Sequence, residues 1–233
     1  MSGSEITING KDGGFMGYLA MPATGKGSGV VVIQEIFGIN PWIREVTDWY
    51  ASQGYVALAP DLFWRMKPSI QLDPTDDAQF QEGLGYYQKF DVDKGIEDIQ
   101  ATIKTLRELP GCSGKVGNLG FCLGGLLSYL TAARTDTNAS SSYYGGGVHT
   151  KLAEMANIKA PALLHLAGND SFVPKEANDQ IVAAAQSKGL VTAHVYAGMP
   201  HAFCRAHDPR HFNAAACSLA HSRTLELFKR ALA

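Results

Sequence analysis

An α/β fold, a mostly parallel sheet with helices on both faces, is predicted by three features of this chain. Short apolar, β-prone runs alternate with stretches of helical periodicity almost throughout. One run, Val30-Val-Val-Ile33, is continuously β-branched, as a strand covered on both faces requires. Another, Val116 to Phe121, passes through glycines straight into a helical stretch. At 233 residues the chain suits one domain, 1–233, with a single large core.

Taken in order, Ile6 to Ile8 and Phe15 to Ala20 flank Asn-Gly-Lys-Asp-Gly-Gly and read as an antiparallel pair at the sheet edge. Val30 to Ile33 is a central strand ending in Gln34-Glu35-Ile36-Phe37-Gly38. Pro41 opens a helix to Gln53, packed through Trp42, Val46, Trp49 and Tyr50 and stopped by Gly54. Tyr55 to Ala59 is a strand closed by Pro60-Asp61, and a loop follows to Pro74. Asp76 to Phe90 and Val92 to Leu109 are helices, the second with an apolar stripe of Ile96, Ile99, Ile103 and Leu106. Beyond Phe121, helices are expected over Leu123 to Ala133, Lys151 to Asn157, Pro174 to Ser187 and Asn213 to Lys229. Strands are expected over Ala139 to Tyr144, Ala162 to Ala167 and Val191 to Tyr196.

Lys plus Arg total 20 against 22 for Asp plus Glu, a net charge of −2, and no basic run suggests a nucleic-acid or anionic-membrane surface. A small molecule is the expected partner. The first residues lack a basic segment followed by an apolar run, and no apolar stretch has membrane-spanning length, so a cytoplasmic protein is expected. Cys112, Cys122, Cys204 and Cys217 have no C-x-x-C spacing, so neither zinc nor a redox dithiol is indicated, and a reducing compartment would keep all four as free thiols. His201, His207 and His211 share a loop without supporting carboxylate spacing, and no metal site is expected there.

Gly120-Phe-Cys122-Leu-Gly124-Gly125 is the thiol form of the G-x-S-x-G nucleophile elbow. A strand that turns at once into a helix has no room for side chains beside the nucleophile, hence the glycines. The turn pushes the thiol outward at a helix N-terminus, where unpaired N–H groups and the helix dipole favour thiolate. The Leu123 N–H can then donate to an oxyanion. A buried structural cysteine at a tight strand-helix crossing is the competing interpretation.

Cys122, Asp170 and His201 each follow a predicted strand, so a parallel sheet brings all three to one rim. Nucleophile, acid, histidine is the chain order of α/β-hydrolases, which adds that fold to the expectation. Taken singly, Asp170 could cap the next helix and His201 could be a loop histidine. Glu35 ends the Val30 to Ile33 strand, in the loop that supplies a second oxyanion donor, for which the Ile36 N–H is chosen. Its carboxylate could serve as an auxiliary base or pair with Arg205.

Gln34-Glu35-Ile-Phe-Gly38, Pro60-Asp61-Leu62, the cysteine elbow, Gly168-Asn-Asp170 and His201-Ala-Phe-Cys-Arg205 together resemble the dienelactone hydrolase family over nearly the whole chain. The resemblance implies a monomeric, cytosolic α/β-hydrolase without cofactor that opens an unsaturated lactone in bacterial breakdown of chlorinated aromatics. It makes Cys122 the nucleophile, His201 the base, Asp170 its orienting acid and Glu35 a carboxylate that switches from Arg205 to the cysteine. Arg205, with Phe37 and Phe80, would touch substrate. Phe80 stands where the family's lactone hydrolases carry a second carboxylate-binding arginine, and no arginine lies between Arg65 and Arg107. Larger or uncharged acyl groups are therefore expected, unless Lys67 or Lys89 reaches in. The alternatives are a general carboxylesterase or thioesterase on the same triad, or a silent binding protein that uses Cys122 as an oxidation sensor.

Overall fold

The computed structural model describes residues 3–233. Eight strands form one sheet: β1 (Ser4–Asn9), β2 (Gly14–Ala20), β3 (Gly27–Ile33), β4 (Val56–Pro60), β5 (Cys112–Phe121), β6 (Ala139–Tyr143), β7 (Ala162–Ala167) and β8 (Val191–Tyr196). Their spatial order is β1-β2-β4-β3-β5-β6-β7-β8. β1 and β2 pair antiparallel, as does β2 with β4, and every other neighbour is parallel. The helices are α1 (Pro41–Ser52), α2 (Asp77–Lys89), α3 (Val92–Glu108), α4 (Leu123–Arg134), α5 (Lys175–Lys188) and α6 (Ala214–Ala231), with a 3₁₀ segment over Val148–Asn157.

The β-branched run in β3 explains its central place. Val31 and Ile33 enter one core with the α3 stripe Ile96, Ile99, Ile103 and Leu106, while Val30 and Val32 enter the other with Trp42, Tyr50 and Phe228. Side-chain caps start α1, α2, α3 and α6: Asn40, Asp76, Asp91 and Asn213 each accept a first-turn N–H. No helix among the described residues is long and apolar enough to cross a membrane.

Three boundaries differ from expectation by three residues or more. β3 begins at Gly27, where it pairs with Cys112 of β5, although its first residues carry no β-branched signal. β5 begins at Cys112, because its early residues pair with β3 although Ser113 to Lys115 are exposed and carry no apolar signal. The 3₁₀ segment starts at Val148, since Gly147 at φ 91° turns the chain directly into it.

Close backbone approach then sets the site. A Cβ on Gly120 would lie 2.1 Å from the Gly124 carbonyl oxygen, and one on Gly124 2.4 Å from that of Gln34. The elbow is thus pressed against the end of β3, which carries Glu35 and Ile36. Gly83 of α2 is equally confined, with only 2.8 Å between a Cβ there and the Ile36 carbonyl oxygen. That contact seats α2 over the elbow.

Candidate active site

Cys122 is the N-cap of α4 at φ 57° and ψ −114°, a left-handed conformation rare for a residue with a side chain. The strain is held by backbone bonds on both sides: the Cys122 N–H donates to the Tyr143 carbonyl at 3.1 Å, and the N–H groups of Gly125 and Leu126 donate to the Cys122 carbonyl at 3.0 and 3.2 Å. Tyr144 (φ 39°) and Ala202 (φ 63°) share the unusual φ sign. Three such residues, following β5, β6 and β8, mark a concentration of strain of the kind found at functional sites. Leu123 opens α4, so its N–H lies in the turn whose donors have no intrahelical acceptor.

The loops after β7 and β8 are tied together, which brings Asp170 to His201. The Gly168 N–H donates to the Tyr196 carbonyl and the Asn169 N–H to that of Met199, each at 2.9 Å. His201 Nδ1 then lies 2.8 Å from Asp170 Oδ2, with both side chains buried. The other Asp170 oxygen accepts the Phe172 N–H at 2.8 Å. α5 begins at Pro174 without a side-chain cap, so Asp170 holds the imidazole and not the helix.

Burial alone would lower the His201 pKa, but the Cys122 and Asp170 charges outweigh it and push it up to about 10. Nε2 has no hydrogen-bond partner at ordinary distance, yet Cys122 is near enough to act on the ring's charge. The arrangement favours a protonated His201 beside Cys122. Asp170→Asn tests the orienting role cleanly, because the amide oxygen can still accept from Phe172 while the NH₂ turned toward Nδ1 selects the wrong tautomer. We expect kcat to fall by about four orders of magnitude with the fold retained; a near-normal kcat would remove Asp170 from the site.

Glu35, 1% exposed, receives Arg205 in a two-pronged pair, Nε to Oε2 at 2.7 Å and NH2 to Oε1 at 3.0 Å. The third Arg205 nitrogen donates to Asp208 at 3.2 Å. Asp208 is fully buried and also accepts from Arg210 and His211, each at 2.8 Å. Burial would raise its pKa, but these partners hold it down at about 2. Sequence reasoning missed Asp208, whose only signal was a carboxylate set among Arg205, Arg210 and His211.

A cavity of about 200 Å³ opens over Cys122, lined by Ile36, Phe80, Leu84, Tyr87, Phe172 and Arg205 among others. Phe37, expected to touch substrate, is fully buried behind this wall, where it packs against Phe80 (centroids 5.7 Å) and under the Arg205 guanidinium (5.0 Å). Ile36 takes the cavity side of the turn and Phe37 the core side. Lys67 pairs with Glu82 at the surface, and neither it nor Lys89 lines the cavity.

Tyr144 was also missed. Its ring meets His201 edge-on at 5.1 Å, and its buried hydroxyl has no protein partner among the described residues. Burial, then the Glu35 charge, drive its pKa well above the ordinary tyrosine value, so it stays a neutral donor.

The expectation of four free thiols is corrected. Cys112 and Cys122 are free, but Cys204 and Cys217 are joined as a disulfide with Cα atoms 4.8 Å apart. The turn after His201 folds onto the start of α6, a proximity that spacing along the chain does not reveal. The His221 imidazole lies beside this pair, with all three potential ligand atoms within 4.8 Å of one another.

Comparison with known proteins gives the family and the fold. The profile of the dienelactone hydrolase family matches residues 15–232. A carboxymethylenebutenolidase of Pseudomonas sp. (strain P51) is 40% identical over 227 residues, covering 97% of this chain and 94% of the relative. A putative carboxymethylenebutenolidase of Azospirillum brasilense is 40% identical over 232 residues, covering 98% and 99%. Among solved structures, a putative dienelactone hydrolase from Klebsiella pneumoniae superimposes with a TM-score of 0.83 at 23% identity, covering 97% of both chains. A dienelactone hydrolase-like promiscuous phosphotriesterase from metagenomic libraries gives 0.82 at 22% identity over the whole of both chains. At these identities the structures speak for the α/β-hydrolase fold alone.

Proposed function

The chain belongs to the dienelactone hydrolase family and hydrolyses ester or lactone bonds, and from that premise we propose that it does so through a covalent acyl-enzyme on Cys122. The observation that carries the proposal is the pairing of a strained, outward-facing thiol with a His201 ring held at 2.8 Å by Asp170.

Cys122 Sγ attacks the carbonyl carbon, and the Leu123 and Ile36 N–H groups receive the oxyanion. As the tetrahedral intermediate collapses, the C–O bond to the leaving group breaks and the His201 imidazolium supplies the proton. Acylation also removes the Cys122 influence that raised the His201 pKa. The neutral imidazole that remains is then a competent base for water, which cleaves the thioester and returns the proton to His201. Asp170 keeps the Nδ1–H tautomer throughout.

Both Glu35 oxygens are engaged by Arg205, so in the resting arrangement its carboxylate is not available to Cys122. A role for Glu35 as auxiliary base therefore belongs to a state in which Arg205 is drawn elsewhere. The cavity over Cys122 is of small-molecule size, which supports action of a single domain on a small molecule.

The test is direct. Rapid mixing with an aryl ester followed by intact-mass measurement should show one acyl group per chain, mapped by peptide analysis to Cys122. Turnover with no acyl adduct, or an adduct on another residue, would overturn the mechanism.

A further inference from the structure

We propose that Cys204, Cys217 and His221 form a binding site for one zinc-type divalent cation, opened when a dithiol reductant breaks the bond between the two cysteines. The site lies apart from Cys122 and does not depend on its chemistry.

The donors converge from two elements. Cys217 and His221 stand four residues apart on α6 and so share one face of the helix. Cys204 meets them from the turn that follows His201, and the two sulfurs and one imidazole nitrogen lie within 4.8 Å of one another. A tetrahedral zinc, with bonds of about 2.3 Å to sulfur and about 2.0 Å to nitrogen, sets its ligand atoms about 3.5–3.8 Å apart. The cluster has that size once the sulfurs separate, and Cα atoms 4.8 Å apart let them do so by side-chain rotation.

The surroundings suit such an ion. His221 Nδ1 lies beside the hydroxyls of Tyr50 and Tyr143, at 3.3 and 3.1 Å, and the Tyr143 hydroxyl is anchored in turn on Thr224 at 2.7 Å. Outer partners of this kind fix the orientation and tautomer of a metal-binding imidazole, and with Nδ1–H donating to them Nε2 is left for the metal. The Trp49 ring packs on the imidazole with centroids 4.9 Å apart, and both cysteines are buried. Two thiolates balance a dication, so the complex is neutral and tolerates walls of Trp49, Tyr50 and Tyr143. Copper(I) would leave a net negative charge buried there, which selects against it. Three protein ligands leave a fourth position to water, admitted where His221 is partly exposed.

The chemistry balances. The dithiol gives two electrons and two protons to the cystine and becomes a disulfide itself, and the cation then displaces both thiol protons to solvent as it takes the two thiolates. Disulfide and metal are thus alternative ties between the His201 turn and α6, one for oxidising and one for reducing conditions.

The experiment uses cobalt(II), whose bonds to thiolate give a charge-transfer band, as the probe for zinc. The full chain is compared oxidised and after treatment with a water-soluble phosphine, chosen because a dithiol would itself bind the metal. Thiols counted in denaturant should rise from two to four. The oxidised chain should show no cobalt–thiolate band, and the reduced chain should bind one cobalt that one equivalent of zinc displaces. Cys122→Ala should keep the band, Cys217→Ser should lose it, and His221→Gln should weaken cobalt binding by at least about tenfold, the least that loss of even an outer partner costs. The inference is overturned by a thiol count fixed at two, by a reduced chain without the band, by a band that survives Cys217→Ser or vanishes in Cys122→Ala, or by unchanged affinity in His221→Gln. Should Cys217→Ser or His221→Gln fail to fold, the reduced native chain and Cys122→Ala decide.

Discussion

Cys122→Ala should abolish turnover, leaving less than about one thousandth of the native kcat, whereas Cys112→Ala should leave the chemistry unchanged. The expected loss follows from the division of labour in a triad, where removing the nucleophile removes the covalent path and leaves only binding and oxyanion stabilisation. A second signature separates loss of the nucleophile from general damage. Cys122 is the largest of the influences that raise the His201 pKa to about 10. With the thiol gone, burial regains weight and the imidazole should titrate well below that value, so that a ring charged throughout the neutral range in the native protein loses its proton within or below it. NMR titration of the His201 ring checks this. An unchanged titration midpoint would mean that Cys122 and His201 do not share charge.

Arg205→Met should be the most destabilising single change at the site, by about 3–5 kcal/mol, because it removes the shared cation from two carboxylates that are 1% and 0% exposed. For a chain of this size that corresponds to a fall in Tm of about 6–20 °C. Arg205→Lys should recover only part of the loss, since an ammonium cannot grip Glu35 with two parallel bonds and reach Asp208 as well. Urea unfolding of the variants reads the difference. A loss below about 1 kcal/mol in Arg205→Met would show that water already relieves these carboxylates and that the pair is not structural.

The sheet and its helices were legible because the periodicities were clean: Val30 to Ile33 could only be a strand covered on both faces, and the α3 stripe only a helix. The tight strand-to-helix turn at Cys122 was legible because Gly120, Gly124 and Gly125 mark a close backbone approach. Tertiary consequences were not. Asp208 gave only the weak signal of a carboxylate among basic neighbours, since its importance comes from burial beneath Arg205, which the sequence does not show. The Cys204–Cys217 pairing depends on how one turn meets α6, and Phe37, expected at the substrate, faces the core because the turn that carries it is too short to have a period. Leu84 and Tyr87 could have been found by following the helical spacing onward from Phe80.

The left-handed conformations at Cys122, Tyr144 and Ala202 have a further meaning for how the sequence can change over evolutionary time. A side-chain-bearing residue in that region costs about 1–2 kcal/mol relative to its relaxed conformation, a sizeable fraction of the roughly 5–15 kcal/mol that keeps a domain folded. Glycine at any of these positions would relieve the local cost, so drift toward a sturdier molecule runs directly through replacements that dismantle the site. Selection for folding and selection for turnover thus oppose each other at the same residues. The deep double core, away from the site, is the part of the molecule free to accumulate the compensating stability.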